Sequence, residues 1–191
     1  LLGSFDDTFV IYDEPENGSL LFTGITLIAK VKADARIDDV MRKLVAMLDD
    51  MIHGRKEVTV REEEYRGQKI AYVNCMGFPI PCAPAWTTCQ GKWVAALFPQ
   101  MVRVAVDRIL DKGPSLLDNE GFRRGWKRMP AGANSMSYCD AGRSMRHVYS
   151  FSLPVADALI AMGQKEGLNL DAALLPSLTV INKHLFDSVA A

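Results

Sequence analysis

Apolar and polar residues alternate in the first part of the chain, a pattern typical of β-strands with one face exposed to water. Residues 8–13 form one such segment and residues 20–32 a second. The apolar positions of the second segment are Ile25, Leu27, Ala29 and Val31. Asn17-Gly18 lies between the two segments and is a strong turn signal. The pattern therefore predicts a β-hairpin.

The spacing of apolar residues then changes from two to three or four, which indicates a helix with one apolar stripe. The stripe consists of Ile37, Val40, Met41, Leu44, Val45, Leu48, Met51 and Ile52. Asp34 is suited to cap this helix, and Gly54 to end it. A second helix is predicted from Pro99 to Gly113, with a buried stripe of the same kind.

Five further strand segments are predicted between and after these helices. Residues 56–64 and 69–74 flank a turn at 65–68, and residues 86–89 and 92–98 flank Gln90-Gly91. Residues 134–139 are predicted to form one more strand. Together these segments predict an antiparallel sheet built largely from hairpins.

The C-terminal part of the chain is predicted to be helical. A short helix capped by Ser115 or Asp118 carries Phe122, Trp126 and Met129. Pro154 is placed in the first turn of another helix that stops at Gly167, and Pro176-Ser177 starts the last one. The fold class is α+β, a mostly antiparallel curved sheet with helices packed on one face and extra helices at the C-terminus. Residues 1–150 are expected to form the α+β domain. Residues 151–191 form a helical segment, packed on it or cut from a larger domain.

Composition narrows the classes of function. The chain has 191 residues with 22 basic and 23 acidic side chains, so it lacks the basic excess of a general nucleic-acid binder. Its apolar runs are much shorter than a membrane-spanning helix requires. It begins Leu1-Leu2-Gly3-Ser4 without a signal-like segment. We therefore expect a piece of a longer protein, with the rest of that protein or another protein as its partner.

Four cysteines are the most informative residues for chemistry. Cys75, Cys82 and Cys89 lie in a proline-rich stretch, and Cys139 lies fifty positions further on. Four cysteines allow three disulfide pairings, of which Cys75–Cys82 with Cys89–Cys139 is the most economical. Disulfides favour an oxidising compartment, whereas reduced thiols would suit the cytosol. The six-residue gaps are a poor match for zinc ligands, so no metal site is predicted.

Other candidate sites have simpler interpretations. Cys139, Asp140 and His147 would form a thiol enzyme only if the histidine were positioned as a base. Glu62 and Glu64 share one side of a strand, but exposed charges at a strand edge explain them better than acid–base or calcium chemistry. The basic patch at 122–128 combines an apolar helix face with an outer charged face. No catalytic residue and no cofactor is predicted.

Several landmarks between about residues 20 and 140 resemble a family of exported bacterial proteins with a domain of unknown function. They are the strand 26–32, the turn at 64–70, the segments 91–96 and 115–122, and the strand Tyr138-Cys139-Asp140. The tail at 175–186 is similar to a following segment of those proteins. The cysteine- and proline-rich loop at 75–89 departs from the family's simpler hairpin. The resemblance implies export to the periplasm or cell surface and carries over no reaction.

The sequence thus favours a non-enzymatic structural or protein-interaction module of an exported protein. The proline-rich loop is the predicted contact surface, with Phe78, Ile80 and Trp86 as its binding residues. The alternative is a carrier of a small ligand or lipid, with an apolar pocket under the sheet that methionines would line.

Overall fold

A computed structural model describes residues 5–14, 23–32, 36–52, 58–75, 82–113, 115–167, 171, 176–181 and 183. The chain divides into two compact units, 1–114 and 115–191. The boundary predicted at residue 150 falls inside a long helix of the second unit.

The first unit contains six strands and two helices within its described residues. In chain order they are β1 (Phe5–Tyr12), β2 (Thr26–Val31), α1 (Ile37–Ile52), β3 (Val58–Tyr65), β4 (Gln68–Cys75), β5 (Ala85–Cys89), β6 (Lys92–Ala96) and α2 (Pro99–Asp111). The strands form one curved antiparallel sheet in the order β1-β2-β6-β5-β4-β3. The predicted α+β class with an antiparallel sheet is confirmed.

Two tight turns set the register of the sheet. Arg66-Gly67 joins β3 to β4, and Gln90-Gly91 joins β5 to β6. All four residues have positive φ, between 48° and 75°, which matches the right-handed twist of a two-residue hairpin. After β2 the chain crosses the sheet through α1, forms β3 at the far edge, and returns strand by strand until β6 pairs with β2.

The two helices pack against opposite faces of the sheet, which corrects the prediction that they share one face. Ile70 packs with Met101 and Val102 of α2, whereas the next residue, Ala71, belongs to the cluster that contains Ile37 and Val45 of α1. Consecutive strand residues point to opposite faces, so both faces of β4 are covered. We call these the α2 face and the α1 face.

The second unit is helical within its described residues. A 3₁₀ turn (Leu116–Asp118) precedes α3 (Glu120–Lys127), α4 (Ala141–Lys165) and α5 (Leu178–Ile181). The C-terminal helices are confirmed.

Two predictions for the second unit are wrong. Residues 134–139 do not form a strand. The helix assigned to Pro154 begins at Ala141, because the side chain of Asp140 accepts a hydrogen bond from the Arg143 amide at 3.0 Å and caps it there. Pro154 lies inside this helix.

Candidate interaction surface

β1 forms one edge of the sheet and carries an apolar surface that the described residues leave uncovered. Phe9, Val10 and Ile11 are exposed to 68%, 53% and 63%. Phe9 and Ile11 lie opposite Ala29 and Leu27 on the α1 face, whereas Val10 lies opposite Ile28 on the α2 face. Three consecutive exposed apolar residues mean that both faces of the strand are open along this stretch.

The opposite edge of the sheet is very different in chemistry. β3 presents Arg61, Glu62 and Glu64 as exposed side chains. Glu62 forms an ion pair with Arg42 of α1, and Glu63 forms one with Arg103 of α2. Charged side chains on an edge strand disfavour pairing with another chain. The two edges therefore differ in their readiness to accept a further strand.

Acidic residues flank the apolar stretch of β1. Asp6 forms an exposed ion pair with Lys30 at 2.9 Å, and Glu14 accepts from Arg108 of α2 at 2.5 Å. Asp13 is exposed. The strand itself contains no basic residue, and the cations that pair with Asp6 and Glu14 come from β2 and α2.

The C-terminal end of β1 is packed closely against the sheet. Tyr12 lies on the α2 face, and burial raises the pKa of its hydroxyl group. A Cβ atom at Gly24 would come within 2.3 Å of the Glu14 carbonyl oxygen, so glycine permits this close approach. Thr26 beside it is fully buried and donates to the Gly24 carbonyl oxygen at 3.2 Å.

α1 exposes a second apolar surface on the same face as Phe9 and Ile11. The predicted stripe divides in the structure: Ile37 and Val45 are buried against the sheet. Leu44, Leu48 and Met51 of the stripe face outward together with Met47, which the prediction did not include, and the four are exposed between 41% and 76%. An exposed apolar helix stripe of this kind typically marks an interaction site.

Of the three predicted binding residues of the proline-rich loop, the structure describes Trp86 alone, and Trp86 is not placed as expected. Trp86 lies on β5, is 2% exposed, and donates from Nε1 to Asp38 Oδ1 at 2.9 Å. It belongs to the core on the α1 face, because the alternation along β5 turns it inward. Phe78 and Ile80 lie outside the described residues.

The cysteines do not form the predicted disulfides. Cys82, Cys89 and Cys139 are free thiols, and the side chain of Cys75 lies outside the described part of the structure. Cys89 is completely buried in the core on the α2 face, where apolar neighbours such as Val94 and Met101 surround it. Burial raises the pKa of its thiol. It therefore acts as a small core residue.

The proposed thiol-enzyme residues are not assembled into a reactive group. The nearest polar contact of the Cys139 sulfur is Ser144 Oγ at 3.7 Å, and Asp140 serves as the helix cap. His147 has a buried Nε2 atom without a hydrogen-bond partner. No group of three or more candidate metal ligands occurs among the residues that the structure describes.

The aromatic residues of the basic patch and the methionines divide between core and surface. Phe122 is buried and contacts Tyr138 edge-on at 5.4 Å, whereas Trp126 is half exposed. Met101 is buried in the core under α2, whereas Met145 and Met162 of α4 are exposed. Phe122 is thus the buried residue of α3, whereas the prediction that Trp126 shares this core-facing side is wrong.

A polar network joins α2 to the β3–β4 turn. Arg66 donates to Asp107 Oδ1 at 2.8 Å and to both oxygens of Asp111 at 2.7 Å. The Tyr65 hydroxyl donates to Asp107 at 2.9 Å, which raises its pKa. The hydrogen bonds from Arg66 lower the pKa of Asp111. This network fixes α2 on the sheet.

Replacing Asp111 with asparagine should make the free energy of unfolding less dependent on pH in the acid range. A carboxyl group whose pKa is lowered by folding stabilises the fold above its unfolded pKa, and this contribution is lost as the pH falls through the folded pKa. We expect Asp111→Asn to unfold at lower urea than the parent at pH 7, and the difference to be smaller at an acid pH below the ordinary aspartate pKa. Asp50→Asn is the control, since Asp50 is exposed on α1. An equal difference at both pH values would contradict the role of the charge.

No protein-family model, curated protein or solved structure matches this chain. Among the described residues, no helix is long and apolar enough to cross a membrane.

Proposed function

We propose that this chain is a protein-interaction module that binds an extended segment of a partner protein along the outer edge of β1, on which no other strand of the described residues pairs. Support comes from the three consecutive exposed apolar residues Phe9, Val10 and Ile11 on an edge strand. This proposal differs from the sequence-based prediction, which places the contact surface on the proline-rich loop. Membership of an exported bacterial family, and export itself, remain predictions.

The physics of strand addition fits this edge. An edge strand presents backbone N–H and C=O groups that a further strand can satisfy. Backbone hydrogen bonds then provide affinity, while alternate side chains of the bound strand provide specificity. Partner side chains on the α1 face would meet Phe9 and Ile11, and those on the other face would meet Val10. The charged β3 edge offers no comparable surface.

A lysine at position 10 should abolish most of the binding. Random ten-residue peptides displayed on phage would be selected against the full chain, and the tightest peptides measured against variants. We expect Val10→Lys to weaken their binding by about 30-fold, because an apolar contact is lost and a charge is placed on the edge. Val10 is half exposed, so the substitution leaves the core intact.

Thr59→Lys is the matched control, since Thr59 is exposed on β3, the other edge strand. It should bind the selected peptides as tightly as the parent. Selected peptides that bind Val10→Lys and the parent equally would show that β1 is not the binding edge.

A further inference from the structure

We infer that two copies of this chain associate through α4, with the two helices packed antiparallel. α4 carries an exposed stripe along one side, which we call the α4 seam. Its members are Met145, Val148, Ser152, Val155, Leu159 and Met162. The five apolar members are exposed between 38% and 64%. The inference does not depend on strand addition at β1, because it concerns a separate surface of the second unit.

The spacing of the α4 seam is that of a helix that packs lengthwise against another helix. Its members follow one another at intervals of three and four residues in strict alternation. This spacing averages about 3.5 residues, the repeat that keeps a stripe facing a neighbouring helix in a coiled coil. From Met145 to Met162 the seam extends for about 26 Å. A second helix with the same repeat can therefore contact it over its whole length.

The seam is not the side on which α4 packs within its own unit. That side holds the half-buried residues Tyr149, Leu153, Ala156 and Ile160. The Tyr149 hydroxyl donates to the Pro176 carbonyl oxygen there. The seam lies about a quarter of a turn away around the helix. A second copy can therefore contact the seam while α4 keeps its contacts within the unit.

The α4 seam is complementary to itself when the second helix runs antiparallel. The opposed pairs across the two copies are Met145 with Met162, Val148 with Leu159, and Ser152 with Val155. Long side chains face each other at both ends of the seam, and short ones face each other at its centre. The two-fold axis repeats every pair, so one favourable contact counts twice. A second copy therefore fits the whole seam.

Neither charge nor an unpaired polar group opposes burial of the α4 seam. The residues beside it are Tyr149, Phe151, Ala156, Ala158 and Gly163, none of them charged. Charged residues at these positions would direct a coiled coil to a different partner. The Ser152 hydroxyl donates to the Tyr149 carbonyl oxygen at 2.9 Å, so it is already satisfied. Antiparallel packing also sets opposite ends of the two helix dipoles side by side.

Replacing Leu159 with lysine should break the association. Sedimentation velocity is measured on the full chain with reductant present, so that exposed Cys139 thiols do not link copies. We expect the parent to be mostly dimeric at about 100 µM. Leu159→Lys should weaken association at least about 100-fold, because the two-fold axis removes its apolar contact twice. Ala161→Lys is the matched control and should associate like the parent, since Ala161 is exposed on α4 away from the seam.

A double variant tests the antiparallel arrangement. Position 148 of one copy lies opposite position 159 of the other only in this arrangement. Val148→Glu combined with Leu159→Lys then brings opposite charges together twice, and it should associate at least about tenfold more tightly than either single variant. A parallel pair would instead set like charges together. Far-UV circular dichroism checks that every variant keeps the helical content of the parent.

The outcomes distinguish this inference from the proposed function. A parent that is monomeric at about 100 µM, or a Leu159→Lys variant that associates like the parent, would overturn the inference. A double variant no tighter than the single variants would overturn the antiparallel pairing. Val10→Lys should remain as dimeric as the parent, and its loss of association would place the contact at β1 instead. Peptide binding at β1 is measured separately, so strand addition can fail while this inference stands.

Discussion

Replacing Trp86 with alanine is expected to lower the free energy of unfolding by about 3–5 kcal/mol, the usual cost of removing a large buried aromatic side chain. Trp86 is almost completely buried between β5 and α1, and it is the described hydrogen-bond donor to Asp38 Oδ1. The substitution leaves a cavity and removes this bond. Urea unfolding followed by far-UV circular dichroism measures the change without relying on tryptophan fluorescence.

Two further variants separate the loss of core packing from the loss of the hydrogen bond and from the removal of an exposed indole. Trp86→Phe keeps most of the ring but loses the hydrogen bond, so its cost should be about 1 kcal/mol. Trp126→Ala removes a half-exposed indole and should cost clearly less than Trp86→Ala. A Trp86→Ala protein with parental stability and lost partner binding would instead restore the loop-borne binding role.

Cys89 should react with iodoacetamide about 10³-fold or more slowly than Cys139 in the native protein at neutral pH. Cys89 has no exposed surface and burial raises the pKa of its thiol, so its reaction waits for unfolding, whereas Cys139 is exposed. Timed alkylation followed by peptide mass spectrometry gives both rates. In denaturant without reductant, Cys82, Cys89 and Cys139 should all react.

Two results would contradict these expectations for Cys89 and Cys139. Failure of Cys89 and Cys139 to react in denaturant until reductant is added would indicate the disulfide predicted from the sequence. Equal native rates for the two thiols would show that the core on the α2 face is open.

Local signals in the sequence predicted the hairpins and the two helices of the first unit well. Arg66-Gly67 and Gln90-Gly91 adopt the positive φ that their turn type requires, and Pro99 starts α2 as its fixed φ favours. These turns and this helix start depend only on a few neighbouring residues. They can therefore be predicted from the local sequence.

The placement of the helices on opposite faces depends on the whole sheet. One signal for it was present: Trp93-Val94-Ala95-Ala96 is a continuous apolar run, which is typical of a strand buried on both faces. Trp93 and Val94 are indeed buried in different clusters. The alternation in the other strand segments indicates a sheet with one solvent-exposed face. The predicted packing of the helices on one face follows that alternation and disregards the apolar run.

The candidate site could not be predicted from its own residues. Thr8-Phe9-Val10-Ile11-Tyr12 has the composition of a core strand. Its exposure arises because β6, formed far along the chain, pairs with β2 and leaves β1 at the edge. Residues 86–89 are correctly predicted as a strand, whereas the assignment of Trp86 to an exposed contact surface is wrong, because both faces of β5 are covered and its side chain lies in the core.

Hydrogen exchange of the full chain with and without the tightest display peptide tests strand addition most directly. A strand added to the edge should slow exchange of the outward-facing amides within Phe5–Tyr12, while the amides of β3 keep their rates. Slower exchange confined to α1, or to the second unit, with no change in β1 would contradict the account.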